Sequence, residues 1–397
     1  MKALKSILAI FPIAGLLALS SCSDEKKTTD NAPIVAEKVK IGDNELIVAK
    51  ISKFTDSLSI PLSQLTEELQ IVKLDDREEA LVGVNHTVIS DNYILVKGRN
   101  PIPYKLFDKK GKFIANIGAI GQGPGEYNLV YDEQIDEKNG RIYLFPWQTR
   151  QILVFDLQGN ALEPIPLVNP APKGRFYVKD DKVGVAILPF PNSPSVAWTQ
   201  NMKGEVIDSI PNSDKFMVYD FSNELSAFRS SDNLSFFITT LATARADSLY
   251  HLDLNMTKLT PKFTIDFEGR EASIHEYIEL PNHFTGNASV VVYTTGPNGE
   301  SVSDNKPLFF IVDKNSLKGG IFNLKNDFLG NLEIGWAPYS FNNGYFVQNY
   351  EPGSLIETLE KALTASDLSS DMRKKMEDLK NSIGDNDNNY ILYAKMK

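Results

Sequence analysis

The chain holds one cysteine, Cys22, in 397 residues. A single thiol excludes an intramolecular disulfide and a thiolate metal site, so the fold must hold by packing alone. Histidine is almost as scarce. His86, His251, His275 and His283 are the four, and no pair stands at His-x-x-x-His or His-Glu-x-x-His spacing, so the signature of a zinc hydrolase is absent. No Gly-x-Ser-x-Gly nucleophile elbow occurs. No block of lysine and arginine occurs either, and 51 acidic side chains outnumber 41 basic ones, which argues against a nucleic-acid partner. The residues therefore indicate no catalytic constellation, no metal and no cofactor.

The one long apolar run lies near the N-terminus, over residues 7–19. It is shorter than the roughly 20 residues that span a bilayer. Lys2 and Lys5 precede it and Leu19-Ser20-Ser21-Cys22 closes it, the charged start, apolar middle and small-residue end of a secretory leader. The ending resembles a bacterial lipobox, in which the cysteine is lipidated. Residues 1–21 are thus expected to be a lipoprotein signal peptide, and 22–52 a lipidated N-terminus and flexible tether. The membrane is the expected partner, through lipid on Cys22. The polar, partly acidic stretch 23–31 resembles the surface-export signal of Bacteroidetes lipoproteins. The expected address is the outer membrane, at the cell surface, with its periplasmic face as the alternative. Without the leader the chain has 39 basic and 51 acidic side chains, a formal charge of −12.

What is plentiful is short apolar runs separated by turn residues. Leu106-Phe107-Asp108-Lys109-Lys110-Gly111-Lys112 and Val154-Phe155-Asp156-Leu157-Gln158-Gly159-Asn160 share one pattern, apolar-Phe-Asp-x-x-Gly-polar, with their glycines 48 residues apart. Weaker copies follow at 183–207, 234–265, 288–322 and 332–347. A four-strand unit recurring at about 45–55 residues predicts a propeller. The expected fold is all-β: a six-bladed β-propeller over 53–397, with five or seven blades left open. Closure is expected to pair 390–394 with 56–58 or 70–74. Leu355, Leu359 and Leu363, then Met372, Met376, Leu379 and Ile383, fall at helical spacing and predict a helical insertion in the last blade over 354–384.

The most distinctive stretch is Ile117-Gly118-Ala119-Ile120-Gly121-Gln122-Gly123-Pro124-Gly125-Glu126-Tyr127. Its glycines imply a tight path with positive φ angles, and Gly121 and Gly123 are the positions expected to resist a β-branched side chain. No helix start follows, so a phosphate cradle is not indicated. On this loop, the Phe-Asp-x-x-Gly turn before it and the opening 60–74, the chain resembles the six-bladed, NHL/TolB-like propeller lipoproteins of Bacteroidetes. The resemblance implies the propeller and no reaction.

The candidate ligand contacts are Gln122, Glu126 and Tyr127 on this loop, and Trp147 and Arg150 in Phe145-Pro146-Trp147-Gln148-Thr149-Arg150. Trp147 could stack on a sugar ring and Arg150 could pair with a carboxylate. The acidic run Asp132, Glu133, Asp136 and Glu137 reads as a solvated turn. The expected function is a lipid-anchored cell-envelope module that binds a glycan, a peptide or a partner protein. The alternative is a hydrolase or lyase at the mouth of the propeller channel. Ionisable side chains converging there from three or more blades would favour the enzyme; an aromatic or neutral mouth would favour binding.

Overall fold

The computed structural model describes residues 31–397, apart from 100, 231, 242, 243 and 296–300. The predicted leader, Cys22 and the first part of the tether lie outside the described residues. Six four-stranded antiparallel blades form a ring. Blade one is Thr87–Ile89, Tyr93–Val96, Tyr104–Asp108 and Phe113–Ile117; blade two is Val130–Asp136, Arg141–Pro146, Thr149–Asp156 and Ala161–Ala171. Blade three is Gly174–Lys179, Lys182–Ile187, Ser195–Asn201 and Val206–Pro211. Blade four is Glu224–Ser230, Asn233–Thr239, Ser248–Asp253 and Lys258–Asp266; blade five is His275–Glu279, His283–Thr295, Ser301–Asp313 and Gly319–Asn326. Blade six takes Phe341–Asn342, Tyr345–Tyr350 and Tyr390–Lys395 from the end of the chain and Gln70–Lys73 from its beginning. The first strand of each blade lines the channel.

The core lies between blades rather than within one. Ile142 and Leu144 pack toward blade one, while Tyr143 and Phe145, their neighbours in the same strand, pack toward blade three. Successive side chains of a strand point to opposite faces, and here both faces are buried. The second and third strands of a blade therefore read as continuous apolar runs. The helices Pro352–Leu363 and Ser370–Asn381 leave and rejoin blade six between its second and third strands, and Leu355, Leu359 and Met376 seal them to the core. The predicted helical insertion is in place.

Three expectations need correction. The stretch 22–52 is not all tether: Ala36–Ile41 and Asn44–Lys50 form a hairpin, and its second strand runs parallel to Lys258–Asp266 on the outer edge of blade four. Val35, Ala36, Ile47 and Ala49 are buried there against Phe263 and Phe310. Residues 56–58 do not close the ring; Ser57–Pro61 runs parallel to Gly319–Asn326 on the outside of blade five, and closure falls to Gln70–Lys73. Leu332–Ile334, read as the start of the sixth unit, pairs with the last strand of blade five. The segment before blade one thus belts the outer edges of blades four, five and six in turn.

Candidate functional site

In each blade, the loop entering the first strand and the loop joining the second and third strands emerge at one end of the channel; the remaining turns emerge at the other. The two ends differ. Leu81, Val84, Ile102, Leu129, Trp147, Tyr219, Phe221, Leu241, Trp336 and Tyr339 are exposed on loops of the first end. Among the described residues, the turns of the second end add only Met256 to the exposed large apolar side chains. Those turns are short and polar, closed by Asp or Asn carboxylate or amide oxygens that accept backbone N–H groups, as Asp108, Asp156 and Asn201 do.

A cavity of about 300 Å³ opens at the apolar-rimmed end, lined from all six blades. Ionisable groups reach it from five of them: His86 from blade one, Asp132 and Glu133 from blade two, Arg175 from blade three, Arg229 from blade four and Glu276 from blade five. The polar side chains sit on first strands because those strands face the channel instead of a neighbouring blade. They also complete the ring's own hydrogen bonding. Asp132 accepts the Phe176 amide at 2.9 Å and takes the Arg229 guanidinium as its ion-pair partner. Arg229 Nε donates to the Phe176 carbonyl at 2.8 Å, and Arg175 Nε to that of Leu225 at 2.7 Å. The acidic run therefore divides: Asp136 and Glu137 stand at a turn, as expected, but Asp132 and Glu133 do not. Asp132 and Glu133 are buried in the channel-lining strand, because alternate apolar residues are not required on a strand that faces water.

Glu133 anchors the floor. Its carboxylate accepts from the Tyr104 phenol at 2.7 Å and faces His86 Nε2 at 2.9 Å. Burial pushes this carboxyl up, but His86, Lys97 and Tyr104 outweigh it and hold it well below the usual carboxylate range. Tyr104 is pushed well up by its burial and by the charge of Glu133. Glu224, just outside the cavity, takes hydrogen bonds from Lys173 and Tyr131. Partial burial and the charge of Glu276 push its carboxyl up to about 7.

An aromatic pair stands at the rim. Trp336 is 62% exposed and holds φ +53°, left-handed backbone that a tryptophan rarely adopts. Its ring lies 5.4 Å from Phe309 and 6.1 Å from Tyr339. Tyr339 in turn donates to Glu276 at 2.8 Å and accepts from Asn287, so one phenol ties the platform to the charged mouth. Two cavity-lining oxygens, Ser226 Oγ and Asn343 Oδ1, are buried without a hydrogen-bond partner.

The predicted contacts divide. Tyr127 is buried, donates to the Ile117 carbonyl at 2.6 Å and accepts the Tyr104 amide at 2.8 Å; its hydroxyl is committed to pinning the loop onto blade one. Glu126 is exposed, but its carboxylate accepts the Gly123 amide at 2.8 Å and pins the loop. The positive φ angles belong to Gly118 (+66°) and Gly125 (+74°) rather than to Gly121 and Gly123. A Cβ on Gly121 would instead lie 2.0 Å from the Glu126 carboxylate. Gln122 is exposed on the same loop. Trp147 and Arg150 are exposed on the rim of blade two, and the Trp147 amide donates to the Leu129 carbonyl at 2.8 Å. None of these five lines the mouth. The residues that do were legible only as charged positions inside strands, a signal that 224–230 and 275–279 carried.

Among the described residues no group of three or more His, Cys, Asp or Glu is placed to hold a metal, and no helix is long and apolar enough to cross a membrane. Over residues 46–395 the chain matches DUF4934, a domain of unknown function, and belongs to that family. No curated protein matches it. A crystal structure described as an exported protein of Bacteroides fragilis is similar in fold, with 15% identity, a TM-score of 0.58, and coverage of 86% of this chain and all of the other. A member of the DUF4221 family from Bacteroides vulgatus is 12% identical with a TM-score of 0.43, over 84% of this chain and 97% of that one.

Proposed function

We propose that this protein is a lipid-anchored propeller of the cell envelope that binds a glycan at the apolar-rimmed mouth of its channel. The carrying observation is the Trp336–Tyr339 platform beside a cavity lined with polar groups from every blade. Sugar rings stack their C–H faces on exposed aromatic rings and offer hydroxyls to fixed polar atoms. An exposed tryptophan held in left-handed backbone is the kind of strain that collects at ligand clamps. Anchoring rests on the leader and the lone Cys22, and the likeness to a protein described as exported agrees with an envelope address.

A second reading has its own support. Ionisable groups from five blades meet at the mouth, and Glu224 titrates near neutrality beside Glu276. Two carboxyls side by side are the pairing used to cleave glycosidic bonds.

The test is a glycan array followed by calorimetry on the chain lacking residues 1–22. Trp336→Ala is expected to weaken binding at least tenfold, the loss of about 1.4 kcal/mol or more, with the melting temperature kept. Equal affinity in both proteins refutes the platform. Release of new reducing ends from the bound glycan, abolished by Glu276→Gln, would favour the second reading. Intact mass of the membrane-extracted protein tests the anchor: an unmodified Cys22 thiol refutes it.

A further inference from the structure

Beside the mouth, between blades one and two, lies a second cavity of about 410 Å³. A third, of about 210 Å³, shares Val84, Asn85, Lys97, Gly98 and Arg99 with it, so the two form one groove across the top of blade one. The groove joins the mouth through adjacent residues. Asn85 in the groove precedes His86 in the mouth. Lys97 donates to the Val130 carbonyl at 2.7 Å and lies close enough to Glu133 to help hold that carboxylate ionised. At its far end stands Leu129, whose carbonyl accepts the amide of exposed Trp147. Trp336 stands on the opposite side of the mouth. Trp336 packs on Phe309 of blade five and Trp147 stands on the loop between the second and third strands of blade two, so exposed aromatic rings stand on both of these blades.

A site for one sugar needs no such groove. The groove is lined by two cationic side chains, Lys97 and Arg99, against one acidic one, Glu351, in a chain that is acidic overall. Arg99 is exposed, lines both cavities, and makes no ion pair or side-chain hydrogen bond among the described residues. A guanidinium left open in a groove is suited to a planar carboxylate, which it can grip with two parallel N–H donors.

We infer that the groove between blades one and two is a subsite for an acidic unit of a linear oligosaccharide whose neighbouring unit occupies the mouth, with Arg99 as the partner of the sugar carboxylate. The inference rests on the glycan reading of the mouth and adds the ligand's chemistry: linear, several units long, and bearing uronate groups. Trp147 becomes the outer stacking surface of the same track.

The experiment compares a hexamer of galacturonate with a neutral hexamer, cellohexaose, by calorimetry on the chain lacking residues 1–22. In the wild type the acidic hexamer is expected to bind at least tenfold tighter than the neutral one, and this advantage should shrink as salt rises. Arg99→Gln should remove the advantage and leave the neutral hexamer's affinity as it was. Arg99→Lys should restore part of it, because charge returns without the fork. An acidic hexamer that binds no better than the neutral one, or equally in wild type and Arg99→Gln, overturns the subsite while the mouth reading stands. Failure of both hexamers and of every glycan on the array overturns the mouth reading, and the subsite with it.

Discussion

Gly159 marks where one atom decides whether two blades can meet. It holds φ +83°, and a Cβ there would lie 2.1 Å from the Asn116 carbonyl in the outer strand of blade one. Gly111 repeats the arrangement with φ +82° and the Lys73 carbonyl at 2.0 Å, in the outer strand of blade six. Each turn tucks against the outer strand of the preceding blade, and the aspartate three residues earlier holds it in shape: Asp156 accepts the amides of Gln158 and Asn160 at 2.9 Å each. Gly159→Val is therefore expected to destabilise by at least ~2 kcal/mol, combining left-handed strain with a backbone clash. Thermal melting should place it several degrees below wild type, while Gly353→Ala, where nothing lies within 4 Å, should not move it. Equal melting of Gly159→Val and wild type would overturn this account of the repeat. At this scale the sequence was legible wherever backbone geometry dictates the residue, as in the two Phe-Asp-x-x-Gly turns. It was misleading at Asp132 and Glu133, since a charge beside a channel and a charge on a turn look alike until the strand's place in the blade is known.

Among elements, the second and third strands of each blade could be read because both their faces are buried, leaving unbroken apolar runs such as Ile142-Tyr143-Leu144-Phe145. The channel-lining strands of blades three to five, Gly174–Lys179, Glu224–Ser230 and His275–Glu279, were passed over because one face meets the channel and mixes charge into the pattern. These are the strands that carry the mouth, so the site was hidden with them. The N-terminal hairpin was misread for a related reason. Its first strand is mostly exposed and lysine-rich, as an outer edge strand should be, while Leu46, Ile47 and Ala49 of the second are buried. Deleting 32–50 is expected to uncover Phe263 and Phe54 and so to lower the melting temperature and raise binding of a hydrophobic dye. Deleting only 23–31 should change neither. A 32–50 deletion that melts with wild type would show the hairpin to be dispensable.

The ring as a whole is closed by strands from opposite ends of the chain. Tyr390–Lys395 lies between Tyr345–Tyr350 and Gln70–Lys73, pairing with both. Around it, Asn388 Nδ2 donates to the carbonyls of Asp75 and Ala80, Lys73 pairs with Asp387 at 2.6 Å, and the Lys397 amide donates to the Leu65 carbonyl at 3.0 Å. Ile391, Leu392 and Ala394 are almost wholly buried, Ile391 against the core shared with blade one and the others against the core that holds the helices. In a fold without a disulfide, this strand and the residues flanking it tie the N-terminal edge to the C-terminal hairpin, and their removal opens the ring. Closure is what spares a propeller exposed strand edges. Ending the chain at Gly384 should therefore give a protein that is insoluble or rapidly cleaved by protease, whereas the intact chain should melt in one cooperative step. The effect should exceed that of the hairpin deletion, because the hairpin covers one blade's outer edge and the last strand holds two blades in place. A truncated chain that stays soluble and melts cooperatively would refute closure as the source of stability.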